Sequence, residues 1–281
     1  MPRPLLAISI LLVVLGLFYA WMPLQLFARS PHMFPYEWRW SASPAQWAVV
    51  FIGLGVAVGR YRRWSRPLLL GVVPAFIMVN IAQAIFDIGL NQNYMIFETG
   101  FASDAAHIAT MTLAISLFVC FCLPQIGAAF AVARAGGLPW DELPLPLASW
   151  AIGCIAYALF RASETLTYLA FTPSYPRSVL GSVILSFGNP SVVIGVGGVL
   201  TLCRSRYGVF AAALGLFAES IWALFQLSEV VLYHQLPAGV PTGFFQADLA
   251  SDAVQTTLAL AAAIFGVYAA QYLIGSSAKD S

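Results

Sequence analysis

The chain has 281 residues, of which 60% are hydrophobic and 9% charged, with a formal net charge of +1 and a mean hydropathy of +0.82. A soluble domain carries roughly 25% charged residues, so this composition excludes a water-covered surface and predicts one covered by lipid. The small net charge excludes the strongly basic face that nucleic-acid binding needs.

Closed barrels alternate apolar and polar residues over about ten positions. Here the apolar runs continue for roughly 17 to 25 residues, the length a membrane helix requires. The fold class expected is all-α: a polytopic membrane protein of about eight transmembrane helices. Apolar runs and their breakers place the spans at Leu5–Phe27, Pro44–Arg60, Pro67–Leu90, Phe101–Leu123, Leu147–Phe171, Pro190–Leu202, Gly208–Tyr233 and Leu249–Ile274. The first run resembles a signal peptide in length, but bulky Phe18-Tyr19-Ala20-Trp21 offers no small-residue cleavage site, so a retained span is expected.

Arginine placement sets the orientation. Arg60, Arg62, Arg63 and Arg66 crowd the connection after the second span, and Arg204 and Arg206 the connection after the sixth. By the positive-inside rule these connections and both termini are cytoplasmic, which requires an even number of spans and a bacterial-type inner membrane. Trp38, Trp40 and Trp47 are expected at the outer interface, and Trp64, Trp140 and Trp150 at the inner one. Cys120, Cys122, Cys154 and Cys203 read as reduced packing residues.

The two halves echo each other at an offset near 145 residues, which predicts two four-helix repeats, 1–135 and 136–281. Ser43-Pro44 and Asn189-Pro190 each read as a cap followed by a first-turn proline. The spans they open are rich in glycine (Gly53, Gly55; Gly195, Gly197, Gly198) and end in spaced arginines. The glycines are read as sites of close helix approach. Ala84-Ile85-Phe86-Asp87 parallels Ala223-Leu224-Phe225-Gln226, and Ala102-Ser103-Asp104-Ala105 parallels Ala250-Ser251-Asp252-Ala253. With four spans each, both repeats insert the same way up, related by an axis along the membrane normal.

The acidic residues gather toward the outer side: Glu37, Asp87, Glu98, Asp104, Glu164, Glu229, Asp248 and Asp252, joined by His32, His107 and His234, with Glu219 near mid-membrane. Helical spacing groups Asn80, Gln83 and Asp87 on one stripe, Asp104, His107 and Met111 on another, and Asp252, Gln255 and Thr256 on a third. Glu219 and Gln226 share a face, with Glu229 beside it, and Arg161 and Glu164 are one turn apart and placed to pair. An ionised side chain at the bilayer centre costs roughly 2.5–3.5 kcal/mol, so these stripes are expected to face one another around a water-filled vestibule open to the outside. The candidate ligand- or ion-binding residues are therefore Asp87, Asp104, His107, Arg161, Glu164, Glu219, Gln226, Glu229 and Asp252. The plain structural readings are that Asp104 and Asp252 cap their helices, that Arg161–Glu164 is only a stabilising ion pair, and that Phe34–Trp40 is an interfacial anchor rather than a lid.

Three functions fit. One is a small transporter or channel for a cation or polar solute, entering from the outer side. A second is a membrane-embedded enzyme with an outward carboxylate and histidine site, although no metal-binding spacing is present and Asp104-x-x-His107 alone is a weak signal. The third is a non-catalytic subunit of a larger membrane complex. The sequence assigns no catalytic residue, metal ligand or cofactor. The lipid bilayer is the partner it requires, and a homo-oligomer is compatible with it.

Overall fold

The structure is a computed structural model describing residues 3–29, 34–94, 100–131, 143–171, 190–234 and 242–277. Among them it is all-helical, with no strand. The helices are α1 (Arg3–Arg29), α2 (Phe34–Gly59), α3 (Ser65–Tyr94), α4 (Gly100–Cys122), α5 (Pro124–Ala131), α6 (Leu145–Phe171), α7 (Pro190–Leu202), α8 (Arg206–His234) and α9 (Thr242–Ser277). Each expected span has a helix at its place. The short α5 was not expected. It begins where Pro124 breaks α4, and the two helices bend by 63° at that break.

Two stretches, Arg3–Trp21 and Leu145–Ala162, are long and apolar enough to cross a bilayer, and a third is if the bent pair Ile108–Cys122 and Pro124–Ala131 counts as one broken span. Shorter apolar stretches occupy α2, α3, α7 and α9 (Trp47–Gly59, Ser65–Ile81, Pro190–Leu202, Thr256–Ala269). Large apolar side chains line exposed faces, among them Leu11, Val14 and Phe18 on α1 and Phe210, Leu214, Phe217 and Ile221 on α8. Such continuous exposed apolar faces suit a lipid-contacting surface far better than a watery one.

The helices run alternately up and down. Ser9 near the start of α1 donates to Gly55 O near the end of α2 at 2.7 Å. Gly71 early in α3 meets Ser149 and Gly153 early in α6, Gly198 late in α7 meets Ala151, and Trp150 Nε1 donates to Ala262 O late in α9 at 3.0 Å. The α2–α3 and α7–α8 turns therefore share one end of the bundle, together with their arginines. Helix α6 is central: α2, α3, α7 and α9 all pack on it. At the arginine end, Arg66 Nε donates to Phe121 O at 3.1 Å and Arg63 Nη2 to Ala131 O at 2.9 Å, while the Tyr61 hydroxyl donates to Ala129 O. These donors satisfy carbonyls that the ends of α4 and α5 leave without helical partners.

The α2–α3 and α7–α8 turns have the same geometry, 143 residues apart (Tyr61 to Arg204). Tyr61 and Arg204 are non-glycine residues in the left-handed region, φ 51° and 62°. Tyr61 N–H donates to Val58 O and Arg204 N–H to Thr201 O, both at 2.9 Å, the closing bond of a left-handed helix end. Helix-to-helix contacts repeat at the same interval. A Cβ on Gly55 of α2 would meet Val13 and Ser9 O of α1, and a Cβ on Gly198 of α7 would meet Ile155 and Ala151 O of α6. Gly16 of α1 faces Ile52 of α2, as Ala158 of α6 faces Gly195 of α7. The glycines do permit close approach, Gly53 excepted, which has open space around its Cβ position.

Several local expectations are corrected. Ser43-Pro44 does not open a helix, because α2 already starts at Phe34 and runs through it; Asn189 and the residues before it lie outside the described ones. Asp104 and Asp252 are not caps: α4 starts at Gly100 and α9 at Thr242, leaving Asp104 in the second turn and Asp252 in the third. Trp47 and Trp150 are not interfacial anchors, being only 2% and 7% exposed. Trp47 sits between α2, α3 and α6, its ring 3.9 Å from that of Phe76 and 4.6 Å from that of Phe160. The side chains of Trp38 and Trp40 lie outside the described ones, as does Trp140 altogether.

Candidate functional site

Glu219 lies near the midpoint of α8, roughly 20 Å from either end. Its side chain is 2% exposed, the most deeply buried charged group among the described residues. Two donors on α6 reach the same oxygen. The Tyr157 hydroxyl donates to Oε1 at 2.8 Å, and Arg161 Nη2 donates to it at 3.1 Å. Tyr157 and Arg161 are four residues apart, so the helical repeat stacks them on one face of α6, one turn above the other. Tyr157 is buried at 3% exposure; the Arg161 side chain is 30% exposed.

The surroundings are apolar and tight on the arginine side of this triad. Ile194 of α7 and Ala212 and Leu216 of α8 are buried there. Gly197 lets α7 approach α8 so closely that a Cβ would strike the Ala212 backbone. Next to Tyr157 round α6, Phe160 packs on Trp47, with Phe76 and Phe51 behind it. The Glu219 carboxylate is buried, while the guanidinium that pairs with it stays partly exposed.

A buried guanidinium–carboxylate pair gives up the hydration of two charges, a cost of several kcal/mol per ion that mutual attraction repays only with good geometry and further hydrogen bonds. Tyr157 supplies one such bond.

Of the residues expected at a site, the structure brings Arg161 and Glu219 together directly. Arg161 pairs across to α8; the side chain of Glu164 lies outside the described ones. The helices carry Asp87 (α3), Asp104 and His107 (α4), Gln226 and Glu229 (α8) and Asp252 (α9), but their side chains too lie outside the described ones. His32 and Glu98 fall outside the described residues entirely. Asn80 of the α3 stripe turns its amide back onto Phe76 O of its own helix at 3.1 Å. Among the described residues, no three His, Cys, Asp or Glu side chains group as metal ligands. Tyr157 was missed by sequence reasoning; its position one turn before Arg161 on the same helix face is the signal that would have found it.

Comparison with family models, with curated proteins and with solved structures returns no match for this chain. Fold and site together define it as a helical bundle with apolar outer faces and, among the described residues, a polar triad linking α6 and α8 around a buried carboxylate.

Proposed function

We propose that the chain is a multi-pass inner-membrane protein of about eight spans that moves a small cation or polar solute, with the Tyr157–Arg161–Glu219 triad as its charged site. The observation that carries this reading is the Arg161–Glu219 ion pair, held at 3.1 Å near the midpoint of α8. Ionisable residues at that depth in a membrane helix mark ion or proton pathways by default. The exposed apolar faces, the alternating helix directions and the gathering of arginines at one end support the membrane placement, with that end and both termini cytoplasmic. The matched turns and glycine contacts support two repeats, 1–135 and 136–281, inserted the same way up.

In this arrangement the outer half of the bundle is a vestibule. The sequence places Asp87, Asp104, His107, Glu164, Gln226, Glu229 and Asp252 toward that side, and an acidic mouth there concentrates cations. The partly exposed Arg161 stands at the floor and Glu219 behind it. Transfer of a proton to Glu219 releases Arg161, and that exchange couples solute movement to the proton gradient.

Purified protein reconstituted in liposomes tests this. Wild type is expected to show a pH-dependent cation or proton flux, and Glu219→Gln, still folded by circular dichroism, to lose it. A Glu219→Gln flux with the wild-type pH profile overturns the proposal.

A further inference from the structure

The register fixed by the two turns has a chemical consequence inside the bundle. Ser65 and Gly208, each four residues after its left-handed turn residue (Tyr61 and Arg204), bond or pack back on the helix before them: Ser65 Oγ donates to Ala57 O at 2.6 Å, and Gly208 lies against Leu200 and Thr201. Both pairs are 143 residues apart. Carried up α3 and α8, this register sets Leu69 beside Ala212, Val73 beside Leu216 and Phe76 beside Glu219. Burial follows it: the six residues are all buried, Phe76 at 1% and Glu219 at 2% exposure. Between α1 and α6 the glycine contacts give an offset of 142 (Val13 to Ile155, Gly16 to Ala158). That sets Leu15 beside Tyr157 and Tyr19 beside Arg161. The buried α2 residue Phe51 corresponds to buried Ile194 of α7.

The same location is thus built twice with opposite chemistry. In the first half, Tyr19 stacks on Phe51 at 5.8 Å and Phe51 meets Phe76 edge-on at 5.2 Å, with Leu15 packed alongside. It is an aromatic and aliphatic knot tying α1 to α3 through α2. In the second half the three outer members are Tyr157, Arg161 and Glu219, tied by two hydrogen bonds onto one carboxylate oxygen. Two positions change from apolar to polar, Leu15 to Tyr157 and Phe76 to Glu219, and at the third Tyr19, which bonds to Thr110, gives way to the charged Arg161.

We infer that the triad occupies a structural knot position that the fold can fill with apolar residues, so that its charges serve the site rather than the fold, and that α6–α8 is the working half while α1–α3 is scaffold. Replacing a buried ion pair by well-packed apolar groups is often neutral or stabilising, whereas removing one partner leaves a buried charge uncompensated. Tyr157 is then a positioning residue: it aims the Glu219 carboxylate at Arg161 without itself carrying charge. This inference rests on the proposed function for the meaning of the site, but not for the equivalence of the two halves.

The test writes the first-half residues into the second. The full protein carrying Tyr157→Leu, Arg161→Tyr and Glu219→Phe is compared with the Arg161→Tyr and Glu219→Phe single variants for melting temperature in detergent and for flux in liposomes. Because Phe is larger than Glu and α7 lies close, a smaller double variant, Arg161→Met with Glu219→Leu, is measured beside them with its own single variants. The combined variants are expected to melt within about 3 °C of wild type and above their single variants, with flux lost. If both combined variants melt below their single variants, the equivalence is overturned. If they are stable and the flux persists, the equivalence stands and the proposed function falls. A Tyr157→Phe variant that stays folded, melts above Arg161→Tyr and shows weakened, pH-shifted flux supports the positioning role; unchanged flux overturns it.

Discussion

Helices α1–α3 and α6–α8 are closed by the same left-handed turn, yet their last two helices sit at different distances. At the 143-residue spacing of the two turns, Leu54 on α2 and Leu69 on α3, both buried, correspond to Gly197 and Ala212. In the second unit, Gly197 brings the backbones of α7 and α8 together. The first unit fills its middle with the rings of Trp47, Phe51 and Phe76; the second holds Tyr157, Arg161 and Glu219 there. In the proposed two-repeat reading, one backbone plan carries a packed aromatic cluster in one half and an ion pair in the other.

Substitutions sharpen this contrast in a definite order of size. Arg161→Ala strands the Glu219 carboxylate in an apolar surrounding and is expected to cost roughly 3–5 kcal/mol, read as a lowered melting temperature or denaturant midpoint. Tyr157→Phe removes one hydrogen bond to the buried carboxylate and should cost about 1.5–3 kcal/mol in the same measurement. Gly197→Ala forces a methyl against the Ala212 backbone and should cost about 1–3 kcal/mol, whereas Gly53→Ala, with open space around it, should be neutral or gain up to about 1 kcal/mol from helix propensity. Equal losses at Gly197 and Gly53 would contradict the account of why α7 and α8 lie closer than α2 and α3.

Much of the helical plan was legible because apolar runs and breakers are local signals. The arginine turns and the close helix approach at Gly55 and Gly198 follow from residue type alone. Ser43-Pro44 misled because a proline after a serine is ambiguous between a cap and a helix interior, and the apolar content of Phe34–Trp40 let α2 extend through it. Matching Ala84–Asp87 with Ala223–Gln226 implies an offset of 139, whereas the left-handed turn residues Tyr61 and Arg204 lie 143 apart; in alanine-rich helices such matches shift easily by one turn. Glu219 stood out because its depth is a local property. Its pairing did not, since a one-turn neighbour such as Glu164 is visible in sequence and a partner on another helix is not. Trp47 and Trp150 were misplaced for a related reason: aromatic-belt reasoning uses distance from a span's end, whereas packing on α6 and α9 decides burial.

The most direct measurement sets the two equivalent positions side by side: proton or cation flux, per folded molecule in liposomes, for Glu219→Gln and for Phe76→Leu. Phe76→Leu is expected to lower the melting temperature through a cavity beside Trp47 and to keep the flux. Glu219→Gln is expected to abolish it. Equal flux in both variants, or loss in both, would contradict the claim that the working site lies between α6 and α8.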